Sequence, residues 1–257
     1  MDVMSNIKIK ADGICKVYDT GMLALDRVDV QMTEGSFTSL LGPSGCGKST
    51  LLNMLAGFVR PTAGEVLVDN RPVEGPGSDR GMVFQEYALF PWRTAAANVT
   101  FGPMIQRKSR SEQHALAERY LKMVGLSEHG GKYPSELSGG MKQRVAIARA
   151  LANGASVLLM DEPFGALDAQ TRETLQEELL GIWQHEKKTI VFVTHSVSEA
   201  LFLSDRIALM ATRPGRIRKI FEISLPHPRD RVSAAFVEIE REIHHMIREE
   251  TRAIGTF

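Results

Sequence analysis

The stretch Gly42-Pro43-Ser44-Gly45-Cys46-Gly47-Lys48-Ser49-Thr50 decides the fold of this chain, because it matches the pattern G-x-x-x-x-G-K-[ST] in full. Glycines let a backbone wrap closely around a phosphate, and a helix that begins beside them directs its positive dipole end at the anion. A β-prone run at residues 36–41 precedes the stretch, and a helical pattern follows it to about residue 57. This context predicts a phosphate-binding loop in which Lys48 reaches the β- and γ-phosphates and the Ser49 hydroxyl binds Mg²⁺.

Composition excludes several classes of protein. The 257 residues, 43% of them hydrophobic and 24% charged, fit one large or two small globular domains. Lysine plus arginine and aspartate plus glutamate both number 31, so the net charge gives no reason to expect nucleic-acid binding. We find no apolar run of about 18 residues and no signal-peptide pattern. The two cysteines, Cys15 and Cys46, cannot form a disulfide framework, and we expect a reducing, cytoplasmic location.

The order of apolar and helical segments predicts an α/β fold. Continuous apolar runs at residues 157–160 and 190–193 are typical of strands buried on both faces. A helical pattern at residues 169–184 connects them, which predicts a βαβ unit in a parallel or mixed sheet. Short β-prone runs precede this core in the first third of the chain, and residues 95–153 read as an inserted helical subdomain.

Two carboxylates follow the apolar run at residues 157–160. A parallel strand delivers its last residues to the edge of the sheet where ligands bind. Asp161 would therefore hold Mg²⁺ through water, and Glu162 would polarise the water that attacks the γ-phosphate. The alternative is a polar strand end with an acidic turn and no catalytic role.

A second glycine-rich segment, Leu137-Ser138-Gly139-Gly140, lies directly before a helical pattern at residues 141–151. Ser138 can cap that helix, and the N–H groups of the two glycines can bind an anion. Taken alone, the segment is better explained as a simple capped helix start.

Together these residues resemble the nucleotide-binding subunit of an ATP-binding cassette (ABC) transporter, over roughly residues 7–218. Tyr18 stands where that family has an aromatic that stacks on adenine, with a plain surface aromatic as the alternative. Gln85 follows a β-prone run as the family's Q-loop glutamine does, and Ala166-Leu167-Asp168 resembles its D-loop. His195 ends the run at residues 190–194 as the switch histidine does, where a packed histidine is the alternative. Met141 departs from the glutamine that is usual at the fifth position of the signature.

The resemblance implies a P-loop NTPase of the ABC type with a mixed or parallel sheet core, an N-terminal antiparallel β subdomain and the helical subdomain. It implies an ATPase domain over residues 1–225, followed by a linker and a C-terminal helix at residues 226–257. Two copies would pair head to tail, with each ATP between the phosphate loop of one copy and the signature of the other. The implied catalytic residues are Glu162 as base, His195, Gln85 and Lys48. The implied Mg²⁺ ligands are Ser49, Gln85 and Asp161. The residues implied to contact ATP are Tyr18, Gly42, Pro43, Ser44, Gly45, Cys46, Gly47, Lys48, Ser49, Thr50, Ser138, Gly139, Gly140 and Asp168.

The resemblance also implies a membrane partner. Residues 87–92 form an apolar run after Gln85 that would contact a permease, or else pack under the helical subdomain. Three segments resemble the nitrate, sulfonate and taurine importers, namely residues 89–92, 213–217 and 225–229. We therefore expect the ATPase of an importer at the cytoplasmic face of the inner membrane, served by an external solute-binding protein. The alternatives are an importer ATPase for another small solute, a non-transport cassette acting on ribosomes or DNA, and an inactive regulatory cassette. Intact Glu162 and His195 argue against the last.

Overall fold

The computed structural model describes residues 6–254, and it describes side chains through residue 250. Contacts within the chain divide it into two units. The first unit joins Met1–Pro76 with Lys188–Phe257, and the second is the intervening segment Gly77–Lys187.

The first unit contains most of the strands. They are β1 (Ile7–Val17), β2 (Leu23–Thr33), β3 (Phe37–Leu41), β4 (Ala63–Val68), β5 (Arg71–Pro72), β8 (Thr189–Thr194), β9 (Arg206–Ala211) and β10 (Arg216–Glu222). Its helices are α1 (Lys48–Leu55), α7 (Val197–Leu203) and α8 (Ala234–Ile254). One sheet has the strand order β2-β1-β4-β5 and is antiparallel, as the sequence predicts for the N-terminal subdomain.

The other strands of this unit form a mixed arrangement in the order β10-β9-β3-β8. β3 pairs in parallel with β8 and β9, while β10 is antiparallel to β9. Every residue of β3 and β8 is buried, which for β8 agrees with the continuous apolar run at residues 190–193 that predicted it. Because β3 and β8 are parallel neighbours, their carboxyl ends lie side by side at the same edge of the sheet.

The C-terminal helix α8 belongs to the first unit and packs against α7. Phe236 and Ile243 on its apolar side are buried. Arg218 of β10 fastens it by donating to the Met246 carbonyl and to the carboxylates of Glu249 and Glu250.

The second unit contains β6 (Arg80–Val83) and β7 (Val157–Asp161), which pair in parallel. Its helices are α2 (Ala95–Val99), α3 (Phe101–Ile105), α4 (Arg110–Met123), α5 (Gly139–Ala152) and α6 (Ala169–Glu186). Short 3-10 turns at Ser127–His129 and Pro134–Glu136 connect α4 to α5.

Some element boundaries differ from the sequence prediction for physical reasons. The helical pattern that begins at residue 95 is three helices, with breaks at Thr100 and at residues 106–109. The first break fits Pro103, which lacks the N–H that a continuous helix would donate to the Val99 carbonyl. α5 begins two residues earlier than predicted, because the Ser138 hydroxyl caps it by accepting from the Met141 amide. Over the described residues, no helix combines the length and hydropathy needed to cross a bilayer.

Candidate nucleotide site

The phosphate loop follows β3 and leads into α1, as predicted. Gly45 and Gly47 have φ angles of +79° and +91°, a region that residues with a Cβ rarely adopt. A Cβ on Gly42 would lie 2.7 Å from the Met210 carbonyl oxygen, so the loop needs glycine there as well. These constraints explain the glycine pattern from the backbone alone.

Lys48 is buried within the loop, with 5% of its surface exposed. Its ammonium donates to the carbonyls of Gly42 (2.8 Å) and Pro43 (2.9 Å), which offsets the cost of burying a cation. Cys46 Sγ lies 3.8 Å from the same nitrogen, but burial raises the pKa of the thiol above its ordinary value. Cys46 therefore remains a neutral thiol and is not a nucleophile.

Tyr18 lies beside the loop at the end of β1. Its hydroxyl is 3.3 Å from Thr50 Oγ1, and the Lys16 ammonium lies over its ring at 5.3 Å from the centroid. Met22 and Leu23, on the other side of the turn, are exposed apolar residues. Sequence reasoning missed this apolar surface; the signal was an apolar pair directly after the Asp-Thr-Gly turn.

His195 emerges one strand away from the phosphate loop. Leu41, the last residue of β3, is paired with Thr194, the last residue of β8. The next residues, Gly42 and His195, therefore start from the same edge of the sheet. The Ser196 amide donates to Thr194 Oγ1 (3.0 Å), which fixes the backbone around the exposed histidine.

In the second unit, Asp161 ends β7, Glu162 follows it directly, and Gln85 lies two residues beyond β6. Because Val83 pairs with Met160 in the parallel ladder, these side chains share one strand edge. A Cβ on Gly165 would lie 3.5 Å from Gln85 Nε2 and 3.4 Å from the Glu162 carbonyl oxygen, so the glutamine and Glu162 flank the same glycine. Glu162 has φ +42°, and such strained non-glycine residues cluster at functional sites.

The signature residues are at the start of α5, where Ser138 is exposed and Gly139 and Gly140 are half-buried. A Cβ on Gly140 would lie 2.8 Å from Thr171 Cγ2, on the first turn of α6. Asp168 caps α6 by accepting from the Thr171 amide at 3.0 Å, and this hydrogen bond lowers the pKa of its carboxyl. Ser138 and Asp168 thus both have a structural role as helix caps.

The structure therefore brings the predicted residues together in groups. Within the first unit, Tyr18, the phosphate loop and His195 are neighbours; within the second, Gln85 neighbours Glu162. Their roles in catalysis and in ATP contact remain predictions.

The donor types fit Mg²⁺. The proposed ligands offer a hydroxyl at Ser49, an amide at Gln85 and a carboxylate at Asp161, the oxygen donors that Mg²⁺ prefers. Among the described residues there is no group of three or more His, Cys, Asp or Glu side chains that would hold a metal. This donor set fits an ion bound mainly through substrate phosphates and water, as is usual for Mg²⁺ in ATPases.

Comparison with known proteins assigns the family. Residues 25–165 match the family model described as ABC transporter. An uncharacterized ABC transporter ATP-binding protein of Methanocaldococcus jannaschii is 51% identical over 95% of this chain and 92% of its own length. A nitrate import ATP-binding protein of Synechocystis is 46% identical, covering 91% of this chain and 93% of its own. An aliphatic sulfonates import ATP-binding protein of Bacillus cereus is 42% identical, covering 91% and 94%.

A solved structure agrees with the sequence matches. A dimeric ATP-binding cassette in a post-hydrolysis state, bound to ADP and phosphate, superposes with a TM-score of 0.75 at 35% identity. The match covers 85% of this chain and all of the other. The predicted fold class and the predicted enzyme class are confirmed. The chain belongs to the ABC transporter family of ATP-binding cassettes and is an ABC-type ATPase, similar to the subunits that power nitrate and sulfonate import.

Proposed function

We propose that this chain powers an importer for nitrate, a sulfonate, taurine or a related anion, by forming an ATP-driven head-to-tail dimer on a membrane permease. The observation that carries the proposal is an intact set of ATPase residues in a chain 46% and 42% identical to nitrate and sulfonate import subunits. The protein would then lie at the cytoplasmic face of the inner membrane, and a separate solute-binding protein would deliver the anion.

The phosphate-binding half of the chemistry belongs to the first unit. The amides at the start of α1 and the Lys48 ammonium stabilise the negative charge of the phosphates. His195 contacts the γ-phosphate, which its position one strand from Gly42 supports. Tyr18 stacks on the adenine, and the neighbouring Met22 and Leu23 add apolar surface for the base.

The second unit supplies the groups that act on water. Glu162 acts as general base on the water that attacks the γ-phosphate. Gln85 and Asp161, together with Ser49, hold Mg²⁺, and the ion supplies charge neutralisation at the β- and γ-phosphates. Each site is completed by the Ser138-Gly139-Gly140 segment of a second copy, which offers its helix N-terminus to the phosphates. The dimeric cassette bound to ADP and phosphate supports this pairing.

The surface for the permease is the segment that follows Gln85. Trp92 is 71% exposed, and its ring contacts Phe90 at 5.8 Å between centroids. The Phe90 ring packs on Phe101 at 4.5 Å between centroids. The side-chain amide of the buried Asn98 accepts from the Phe90 N–H and donates to the Phe90 carbonyl. The segment is thus packed at Phe90 and open at Trp92. Both readings of this run therefore find support, each for different side chains.

Two experiments test the proposal. In the Glu162→Gln variant, Mg·ATP should produce a stable dimer with turnover reduced at least about a hundredfold, because the general base is lost. Glu177→Gln, an exposed carboxylate on α6, is the matched control and should turn over ATP like the wild type. Equal turnover in Glu162→Gln and wild type would remove Glu162 from the base role, and a strictly monomeric variant would remove the dimer.

The solute and the partner need a separate experiment. Affinity purification from membranes should recover a multispanning permease. Cells lacking the gene should lose uptake of nitrate, taurine or an alkanesulfonate, and regain it with the wild type but not with Glu162→Gln. Unchanged uptake of all three anions would favour the alternative of another small solute. Recovery of ribosomes in place of a permease would favour a non-transport cassette.

A further inference from the structure

The segment after Gln85 has an unusual backbone. Tyr87 and Ala88 have φ angles of +59° and +46°, so two successive residues with side chains adopt the left-handed conformation. This conformation costs free energy for any residue with a Cβ. It persists only where surrounding contacts hold it in place.

Arg149 of α5 supplies those contacts. Its guanidinium donates to the Ala88 carbonyl at 2.6 Å and to the Tyr87 carbonyl at 3.1 Å. Burial lowers the pKa of this guanidinium below its ordinary value, and a partly buried cation needs acceptors. The planar guanidinium donates through two nitrogens at once, which fixes the carbonyls in direction as well as in distance.

The same helix contacts the segment a second time at its first turn. Tyr87 Oη lies 3.1 Å from the position that a Cβ on Gly139 would occupy. Any side chain at residue 139 would crowd this hydroxyl, so the tyrosine lies against the start of α5. The segment that carries Gln85 is therefore held to both the first and the third turn of the helix that Ser138 caps.

We infer that Arg149 is a positioning residue: it holds the loop after Gln85 in register with the signature helix, so that the two move together. This inference rests on the proposed role of Gln85 and adds a residue to it. A displacement of the loop by a partner at Trp92 is then transmitted to Ser138 through α5. Without Arg149 the left-handed turn relaxes and Gln85 loses its fixed position.

The test compares variants on the same helix in the dimeric enzyme. Arg149→Met should raise the amide hydrogen exchange of residues 84–90 and lower kcat by about fivefold to thirtyfold, the equivalent of releasing one strained residue. The KM for ATP should change less than about twofold, because the phosphate loop is untouched. Arg149→Lys, which has a single ammonium in place of a guanidinium that donates through two nitrogens, should show loop exchange and a kcat between those of the wild type and Arg149→Met. Arg144→Met is the control, because Arg144 of the same helix pairs with Glu178 at 2.7 Å; it should leave loop exchange and kcat unchanged.

A rescue separates positioning from general stability. Glycine adopts φ +46° without penalty, so Ala88→Gly should restore part of the kcat lost in Arg149→Met. The inference is overturned if Arg149→Met leaves loop exchange or kcat unchanged. It is also overturned if Arg144→Met causes equal losses, or if Ala88→Gly restores nothing. A Glu162→Gln variant that fails to dimerise would contradict the proposed function but would leave the exchange comparison intact.

Discussion

Two glycines of the phosphate loop give a sharp test of how the loop is built. Gly45 and Gly47 have similar φ angles, +79° and +91°, but different surroundings. A Cβ on Gly45 would meet nothing within 4 Å, whereas a Cβ on Gly47 would lie 2.5 Å from Leu25 Cδ2. Alanine at either position costs about 1–2 kcal/mol for the left-handed conformation, partly offset by a less flexible unfolded chain. Only alanine at residue 47 adds a steric clash, worth about 1–3 kcal/mol.

We therefore expect Gly47→Ala to be less stable than Gly45→Ala by about 2 kcal/mol, or roughly 4–8 °C in Tm for a chain of this size. Thermal and urea unfolding without nucleotide measure this difference free of any effect on phosphate binding. A double-mutant cycle with Leu25→Ala should show that the two changes cost less together than their sum, because the clashing methyl is gone. Equal stability of the two glycine variants, or additivity in the cycle, would refute the reasoning.

Three further predictions concern the rest of the chain. Arg229 is 5% exposed, burial lowers the pKa of its guanidinium to about 10, and the guanidinium donates to four backbone carbonyls. Arg229→Met should therefore lower the free energy of unfolding, measured in urea, by at least about 3 kcal/mol. A loss below about 1 kcal/mol would contradict this role. Both side-chain polar atoms of Gln143 are buried and have no hydrogen-bond partner among the described residues. Gln143→Met should therefore raise Tm, because it removes two buried polar atoms without breaking a hydrogen bond. A lowered Tm would show that the amide does form hydrogen bonds in the folded protein. Burial, aided by Arg229, lowers the pKa of His227 below 6.5, so the unfolded chain takes up the proton first as the pH falls. Stability should therefore decrease below about pH 6.5 and level off below the folded pKa, with a shallower decrease in His227→Asn; identical slopes would contradict the assignment.

The sequence was most informative where a local backbone requirement dictates residue type. Gly45 and Gly47 are glycines because of their φ angles, and residues 190–193 of β8 are all apolar because the sheet buries that strand entirely. Such requirements can be read from a few adjacent residues, and the position of His195 at the end of β8 follows from the same pattern.

Features that depend on distant contacts could not be predicted. The carbonyls that Arg149 holds lie 61 and 62 residues earlier in the chain, and no local pattern relates them. β5 has only two residues, too few for any periodicity. The helical pattern that begins at residue 95 hid the break at Thr100, since α2 and α3 have only five residues each.

The build of the first unit has a consequence for biosynthesis. Its two parts meet only through contacts such as that of the Gly35 amide with Thr189 Oγ1, 154 positions apart in sequence. Closing a loop of that length costs about 4 kcal/mol of chain entropy before any pairing repays it. At ribosomal rates of about 5–20 residues per second, β3 leaves the exit tunnel roughly 10–30 s before β8. During that interval β3, which the finished fold buries completely, has neither of its partner strands β8 and β9 to pair with, so its edges are open to pairing with other chains.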